Sequence, residues 1–255
     1  MDLDLTGKFA LVTGGSRGIG RAIALALAAE GANVAICARG KDGEVERTID
    51  QLRSLFRDGQ FIGVRGDVAQ EEDRTHIWHV VHSSWGRLDI LVNNAGGGGR
   101  VGGEVVEEAY QDVWEVVYER NAGAATWFTM RAIPLMLRQG WGRVVTIASV
   151  HGLDHRARPW FSMAKSAEIA LMRSLAGDPR LARAGLTFNS VAPGPVMAGG
   201  WLESRTEREA EEWRLVLGRL GMPEEVASAV VFLCSERASL INGACLVIDG
   251  GGRCR

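Results

Sequence analysis

A chain of 255 residues that is 46% hydrophobic and 24% charged can build one sizeable core and lies far from the composition of a disordered or fibrous protein. Its 29 basic and 31 acidic residues give a formal charge of −2 without any basic run, which argues against nucleic acid as a partner. No apolar run is long enough for a bilayer, and the start Met1-Asp2-Leu3-Asp4-Leu5 lacks both the positive and the apolar region of a leader, so no membrane is expected. The four cysteines, Cys37, Cys234, Cys245 and Cys254, lie far apart with no C-x-x-C spacing, and a reducing cytoplasmic location is expected.

Short β-branched runs alternate with longer segments of helical period. Strands are predicted at Phe9–Thr13, Asn33–Ala38, Phe61–Gly66, Leu88–Asn93, Arg143–Ala148, Leu186–Val191 and Cys245–Ile248. Between them, apolar residues recurring at three and four predict helices over Ile19–Ala29, Gly43–Phe56, Gln70–Trp85, Val105–Leu137, Trp160–Ala176 and Pro223–Cys234. Several strands, such as Val34-Ala35-Ile36-Cys37, are apolar throughout, as strands covered by helices on both sides must be. The expectation is an α/β fold: a doubly wound, parallel, seven-stranded sheet with helices on both faces, forming a single domain over residues 1–255. The stretch beginning Pro193-Gly194-Pro195 turns densely charged around Trp201 and Trp213 and reads as a lid over about residues 195–215.

Between the first strand and the first helix runs Thr13-Gly14-Gly15-Ser16-Arg17-Gly18-Ile19-Gly20. A tight turn at this point needs residues without Cβ, and the helix start then offers free N–H groups and a positive dipole end to a pyrophosphate. Gly14, Gly18 and Gly20 can fill those roles.

The turn resembles that of the short-chain dehydrogenase/reductase family, in its 3-oxoacyl-carrier-protein-reductase-like branch. The likeness runs on through Asp67-Val68, Asn93-Asn94-Ala95-Gly96, Asn121, Ser149, Lys165, Asn189-Ser190-Val191-Ala192-Pro193-Gly194-Pro195-Val196 and Asp249-Gly250-Gly251, covering essentially the whole chain. It implies a Rossmann fold that binds a nicotinamide dinucleotide along Gly14, Ser16, Arg17, Gly18, Ile19 and Gly20, with Asp67 and Val68 flanking the adenine. Asn94, Ala95 and Gly96 would lie along the cofactor, Pro193 and Gly194 beside it, and Val196 at the carboxamide. It further implies a homo-oligomer, tetramer or dimer, acting on a small molecule. The position after the second strand that holds an acidic residue in NAD binders holds Ala38, followed by Arg39; with Arg17 this offers two guanidiniums to a ribose 2′-phosphate, favouring NADP(H) over NAD(H). Asp42 nearby remains available to a ribose hydroxyl. Ala198 stands where many members of the family carry a hydroxyl that bonds the cofactor.

By the same resemblance the reaction centre comprises Asn121, Ser149, a tyrosine and a lysine one helical turn apart, and Lys165 is that lysine. Phe161 stands in the tyrosine's place. Phenylalanine has no ionisable proton, and Tyr110 and Tyr118 cannot be slid into register. Ser149 can still donate to a substrate oxygen and Lys165 can still hold the nicotinamide ribose. His151 and His155, in the same loop as Ser149, are candidate substitute acids because imidazole titrates near neutrality. The leading expectation is therefore an NADP(H)-dependent oxidoreductase acting on a small carbonyl, alcohol or related substrate. The alternatives are a nonredox dinucleotide-binding regulatory subunit and an isomerase or dehydratase on the same fold.

Overall fold

The computed structural model describes residues 2–40, 43–98, 113–154, 159–198 and 216–252. Seven parallel strands, β1 (Phe9–Thr13), β2 (Asn33–Ala38), β3 (Phe61–Arg65), β4 (Ile90–Asn93), β5 (Gly142–Ile147), β6 (Leu186–Pro193) and β7 (Cys245–Ile248), form one sheet in the order β3-β2-β1-β4-β5-β6-β7. The strand order reverses between β1 and β4. Connections leaving these two neighbours go to opposite sides, which opens a crevice at their C-terminal ends.

Period-two alternation within the strands divides the core. Ala10, Val12, Val34, Ile36, Ile90, Val92, Val145 and Ile147 face one layer, packed against α1 (Gly18–Ala29), α2 (Glu44–Leu55) and α9 (Pro223–Leu233) through Ile23, Leu27, Ile49, Leu52, Val226 and Val230. Leu11, Ala35, Cys37, Leu91, Val144 and Phe188 face the other, against α3 (Glu71–Trp85), α5 (Ala124–Gln139) and α7 (Pro159–Ala176) through Ile77, Val81, Phe128, Met136 and Met172. Each residue of a central strand is thus buried on whichever side it points, which is why these strands read as unbroken apolar runs. Burial also pushes the Cys37 and Cys234 thiols up to about 12, so neither is a reactive thiolate near neutrality.

The helix expected over Val105–Leu137 is not one regular helix. Residues 105–112 lie outside the described residues; from there α4 (Val113–Tyr118) runs into a π turn (Glu119–Gly123) and then α5. The amide of Asn121 causes the widening: its Nδ2 donates to the Val117 carbonyl at 2.7 Å, a partner of the backbone ladder, while the same side chain reaches Gly97. Two short helices had no periodicity to announce them: α6 (His151–Asp154) and α8 (Pro179–Arg183), the latter capped by Asp178, whose Oδ1 accepts from the Arg180 N–H at 2.8 Å. Of the expected lid, residues 199–215 lie outside the described residues, as does His155. Among the described residues no helix is long and apolar enough to cross a membrane.

Candidate active site

The cleft begins at the glycine turn. Gly14 and Gly18 take φ of +66° and +52°, values that favour glycine, and the turn delivers Arg17, in extended conformation, as the residue that opens α1. No side chain caps this helix, so its first amides have no intrahelical partner and face the crevice. Thr13 and Asn94 fasten the turn to the neighbouring strand. Thr13 Oγ1 accepts from the N–H groups of Asn94 and Ala95, both at 3.0 Å, and Asn94 Nδ2 donates to the carbonyls of Thr13 at 2.8 Å and Gly14 at 3.1 Å. A Cβ on Gly20 would fall inside contact distance of both Asn94 Nδ2 and the Gly14 carbonyl oxygen. That lost atom lets α1 start close against the sheet. Free amides at a helix start, beside glycines with no side chain to obstruct them, fit a pyrophosphate.

From this turn a cleft of ≈ 580 Å³ follows the C-terminal edge of the sheet. It brings together Gly14, Ser16, Arg17, Gly18, Ile19, Gly20, Arg39, Asp67, Val68, Asn94, Ala95, Gly96, Ser149, Phe161, Pro193, Gly194 and Val196, all of them singled out from the sequence. Asp67 and Val68 are set by the β3 exit, where the Asp67 N–H donates to Asp73 Oδ2 at 2.7 Å and Arg74 holds the Val68 carbonyl at 3.2 Å. Gly194 is pinned to β7 through its N–H on the Ile248 carbonyl at 2.9 Å, and Val196 pairs with Gly221 in an isolated bridge. Arg17 and Arg39 line the far end of the cleft, and neither has an ion-pair partner among the described residues.

Two charged residues that the sequence did not single out also line it. Glu44, the first residue of α2, accepts from Ser16 Oγ at 3.3 Å, putting a carboxylate in the same corner as Arg17 and Arg39. Arg120, in the π turn, borders the cleft with a buried Nε that has no hydrogen-bond partner among the described residues.

At the other end of the cleft Ser149, 9% exposed, follows β5, and its Oγ accepts from the His151 N–H at 3.2 Å. His151 lines the wall on α6, its ring 6.4 Å from that of Phe161 and its Nδ1 3.5 Å from Asp154 Oδ1. Its Nδ1 is buried without a hydrogen-bond partner among the described residues, and an imidazole that borders a cleft is in position to give or take a proton. Phe161 turns an unsubstituted ring toward the same space.

Asn121 and Lys165, expected at the reaction centre, lie beneath the cleft floor rather than on it. Asn121 is wholly buried and saturated by Gly97 and Val117: Oδ1 accepts from the Gly97 N–H at 3.0 Å, and Nδ2 donates to the Gly97 carbonyl at 3.1 Å besides its bond to Val117. Lys165, 4% exposed, gives its ammonium to the Ile147 carbonyl at 2.8 Å and to both oxygens of Glu168, at 2.9 and 3.2 Å. Glu168, one helical turn on and 1% exposed, escaped the sequence reading because an i, i+3 acid–base pair is common on solvated helix faces.

Burial pushes the Glu168 carboxyl from 4.5 up to about 7, outweighing the pull of the adjoining Lys165 ammonium. A carboxyl that binds its proton more tightly folded than unfolded contributes stability in acid, and that contribution is lost as pH rises from 4.5 through about 7. Glu168→Gln, which cannot ionise, should flatten this part of the stability–pH curve; equal slopes for variant and wild type in denaturant melts across that window would contradict the assignment.

With this geometry in place, comparison with known proteins is direct. Residues 14–252 match the family model described as enoyl-(acyl carrier protein) reductase. The chain is 34% identical over 252 residues to the L-rhamnose 1-dehydrogenase (NAD(P)(+)) of Sphingomonas sp. (strain SKA58), covering 97% of this chain and 96% of that protein. It is also 34% identical over 255 residues to the 3-oxoacyl-[acyl-carrier-protein] reductase FabG of Aquifex aeolicus (strain VF5), covering 98% and 99%. The L-sorbose reductase of Gluconobacter frateurii, solved in complex with NADPH and L-sorbose, superposes with a TM-score of 0.89 at 30% identity, covering 98% of each chain. The chain belongs to the short-chain dehydrogenase/reductase family. Within that family it is an oxidoreductase of the NAD(P)-dependent class, on a seven-stranded Rossmann sheet.

Proposed function

We propose that the chain is an NADP(H)-dependent oxidoreductase that interconverts a small carbonyl compound and its alcohol, with Phe161 in the place of the family's tyrosine and His151 as the proton donor. The observation that carries this reading is the continuity of the cleft, which joins the uncapped start of α1 to Ser149, His151 and Phe161. The nicotinamide supplies the hydride when bound. Ser149 donates its hydroxyl hydrogen to the substrate oxygen. His151, on the cleft wall beside Ser149, delivers the proton as the alcohol forms and removes it in the reverse direction. Gly14, Ser16, Gly18, Ile19, Gly20, Asn94, Ala95 and Gly96 present the backbone and small side chains on which the dinucleotide rests, with Asp67 and Val68 at the adenine and Pro193, Gly194 and Val196 at the nicotinamide end.

Two guanidiniums without ion-pair partners among the described residues, on Arg17 and Arg39, support the NADP(H) preference, whereas Glu44 in the same corner of the cleft opposes a 2′-phosphate and favours a ribose diol. Glu44→Gln should therefore raise the ratio of NADPH to NADH affinity, by about tenfold for a like-charge contact worth roughly 1.4 kcal/mol. Isothermal titration of both nucleotides reads this ratio, and an unchanged value would place the carboxylate away from the phosphate. The proposal as a whole is tested by titrating NADPH into folded protein and then following its oxidation across a panel of ketones and aldose sugars; binding without turnover on every member would instead select a nonredox dinucleotide-binding subunit. That second reading has one specific observation in its favour, the commitment of Lys165 to Ile147 and Glu168.

A cytoplasmic homo-oligomer, tetramer or dimer, belongs to the same proposal. Trp114 and Val116 on α4, Met130 and Leu137 on α5 and Met163 on α7 are exposed apolar side chains on helices of one side of the sheet, which supports burial against another copy.

A further inference from the structure

A lysine ammonium has three hydrogens to give. In Lys165 all three have acceptors: the Ile147 carbonyl and the two oxygens of Glu168, at 2.8, 3.2 and 2.9 Å. Yet the ammonium is not far from the cleft. It lies 3.1 Å from the point a Cβ on Gly96 would occupy, and Gly96 is a cleft residue, so only a glycine's hydrogens stand between them. The Phe161 ring centroid lies 5.8 Å from the ammonium, and that ring offers neither a hydrogen-bond donor nor the hydroxyl acceptor a tyrosine would bring.

We infer that Lys165 must release Glu168 in order to serve a dinucleotide in the cleft, and that Glu168 takes up a proton from solvent when it does, making the two residues a proton-coupled latch on cofactor binding. The inference rests on the dinucleotide reading above. A carboxylate that is 1% exposed and loses its cation has no water to replace the lost bonds, and protonation is the response that removes the buried charge. Its carboxyl already titrates near neutrality with Lys165 attached, so only a modest loss of the lysine's pull is needed. The elements packed against α7 carry other ionisable groups: His151 and Asp154 on α6, Glu119 and Arg120 on the π turn, Glu115 and Tyr118 on α4, Arg131 and Arg138 on α5, Arg180 and Arg183 on α8 and Arg143 on β5. Lys165 is nonetheless the charged group that acts on the Glu168 carboxyl, through both charge and hydrogen bonds. Glu168 is in this sense a positioning residue: it holds the lysine until ligand arrives.

The test is calorimetry at pH 8 with the full chain, titrating NADPH and, separately, NADH, which lacks the titratable 2′-phosphate, in phosphate, HEPES and Tris buffers. The dependence of observed heat on buffer protonation enthalpy gives the protons taken up. Wild type should take up between about half a proton and one proton per dinucleotide, with the uptake fading below about pH 6, where Glu168 is protonated before ligand is added. Glu168→Gln, or Glu168→Leu should the amide variant fold poorly, should bind NADH with uptake near zero. Binding by wild type with no proton uptake, or uptake unchanged in the Glu168 variants, overturns the latch. Absence of any binding heat for either nucleotide in folded wild type overturns the dinucleotide reading itself, and the latch with it.

Discussion

Gly20→Ala is expected to remove dinucleotide binding from a chain that still folds. The added methyl meets Asn94 Nδ2 and the Gly14 carbonyl oxygen, and the second of these is backbone of the turn itself, so α1 or the turn must shift. Overpacking of this kind costs about 1–3 kcal/mol in stability. The larger effect falls on ligand: hydrogen bonds from amides to a charged group are worth roughly 1.5–3 kcal/mol each, so misplacing one or two of them lowers affinity by about 10–10⁴. Gly86→Ala is the matched control. Gly86 also takes a positive φ, +65°, at the C-terminus of α3, but a Cβ there meets nothing within 4 Å. It should lose stability through backbone strain of about 1–2 kcal/mol while NADPH affinity holds. Thermal melts and titration calorimetry on the two variants separate the effects; equal loss of affinity in both would show that binding follows global stability and not the turn.

His151→Ala is expected to lower turnover by about 10²–10⁴, the usual contribution of a placed general acid, while dinucleotide affinity changes far less. The imidazole is partly exposed, touching Asp154 and the edge of Phe161, so its removal leaves no large hole in the core. Phe161→Tyr placed on the His151→Ala background should recover part of the lost rate, since the phenol would bring a proton donor to the same end of the cleft as Ser149. The pair of variants is informative in combination: full activity in His151→Ala would assign the proton elsewhere, and Phe161→Tyr giving no recovery would mean that the cleft does not present substrate to that ring.

Much of this architecture could be read from residue order. Strand positions followed from apolar runs at β1, β2 and β4, because each is sandwiched and has no solvent side to mark with polar residues. The dinucleotide end was legible because Gly14, Gly18 and Gly20 are demanded by backbone conformation and close approach, and those requirements leave a trace in sequence. What stayed hidden depends on orientation. Nothing in the order of residues tells whether Lys165 points into the cleft or back to Glu168, since both lie one turn apart on a helix whose outward and inward faces differ by burial alone. Glu44 was missed for a related reason: it reads as a favourable acidic first-turn residue of α2, and its part in the cleft corner comes from the bend at Gly43. The π turn is likewise a tertiary effect, arising from Asn121 reaching Gly97 on a different segment.

The fastening of Thr13 to Asn94 and Ala95 bears on how the molecule assembles. Those bonds join residues about 80 positions apart in the chain, and the intervening segment must complete three crossovers before they can close. Contacts so distant in sequence form late, after loop closure has been offset by the rest of the sheet. The anion cradle would thus mature near the end of folding, and added nucleotide should slow unfolding while leaving the refolding rate almost untouched.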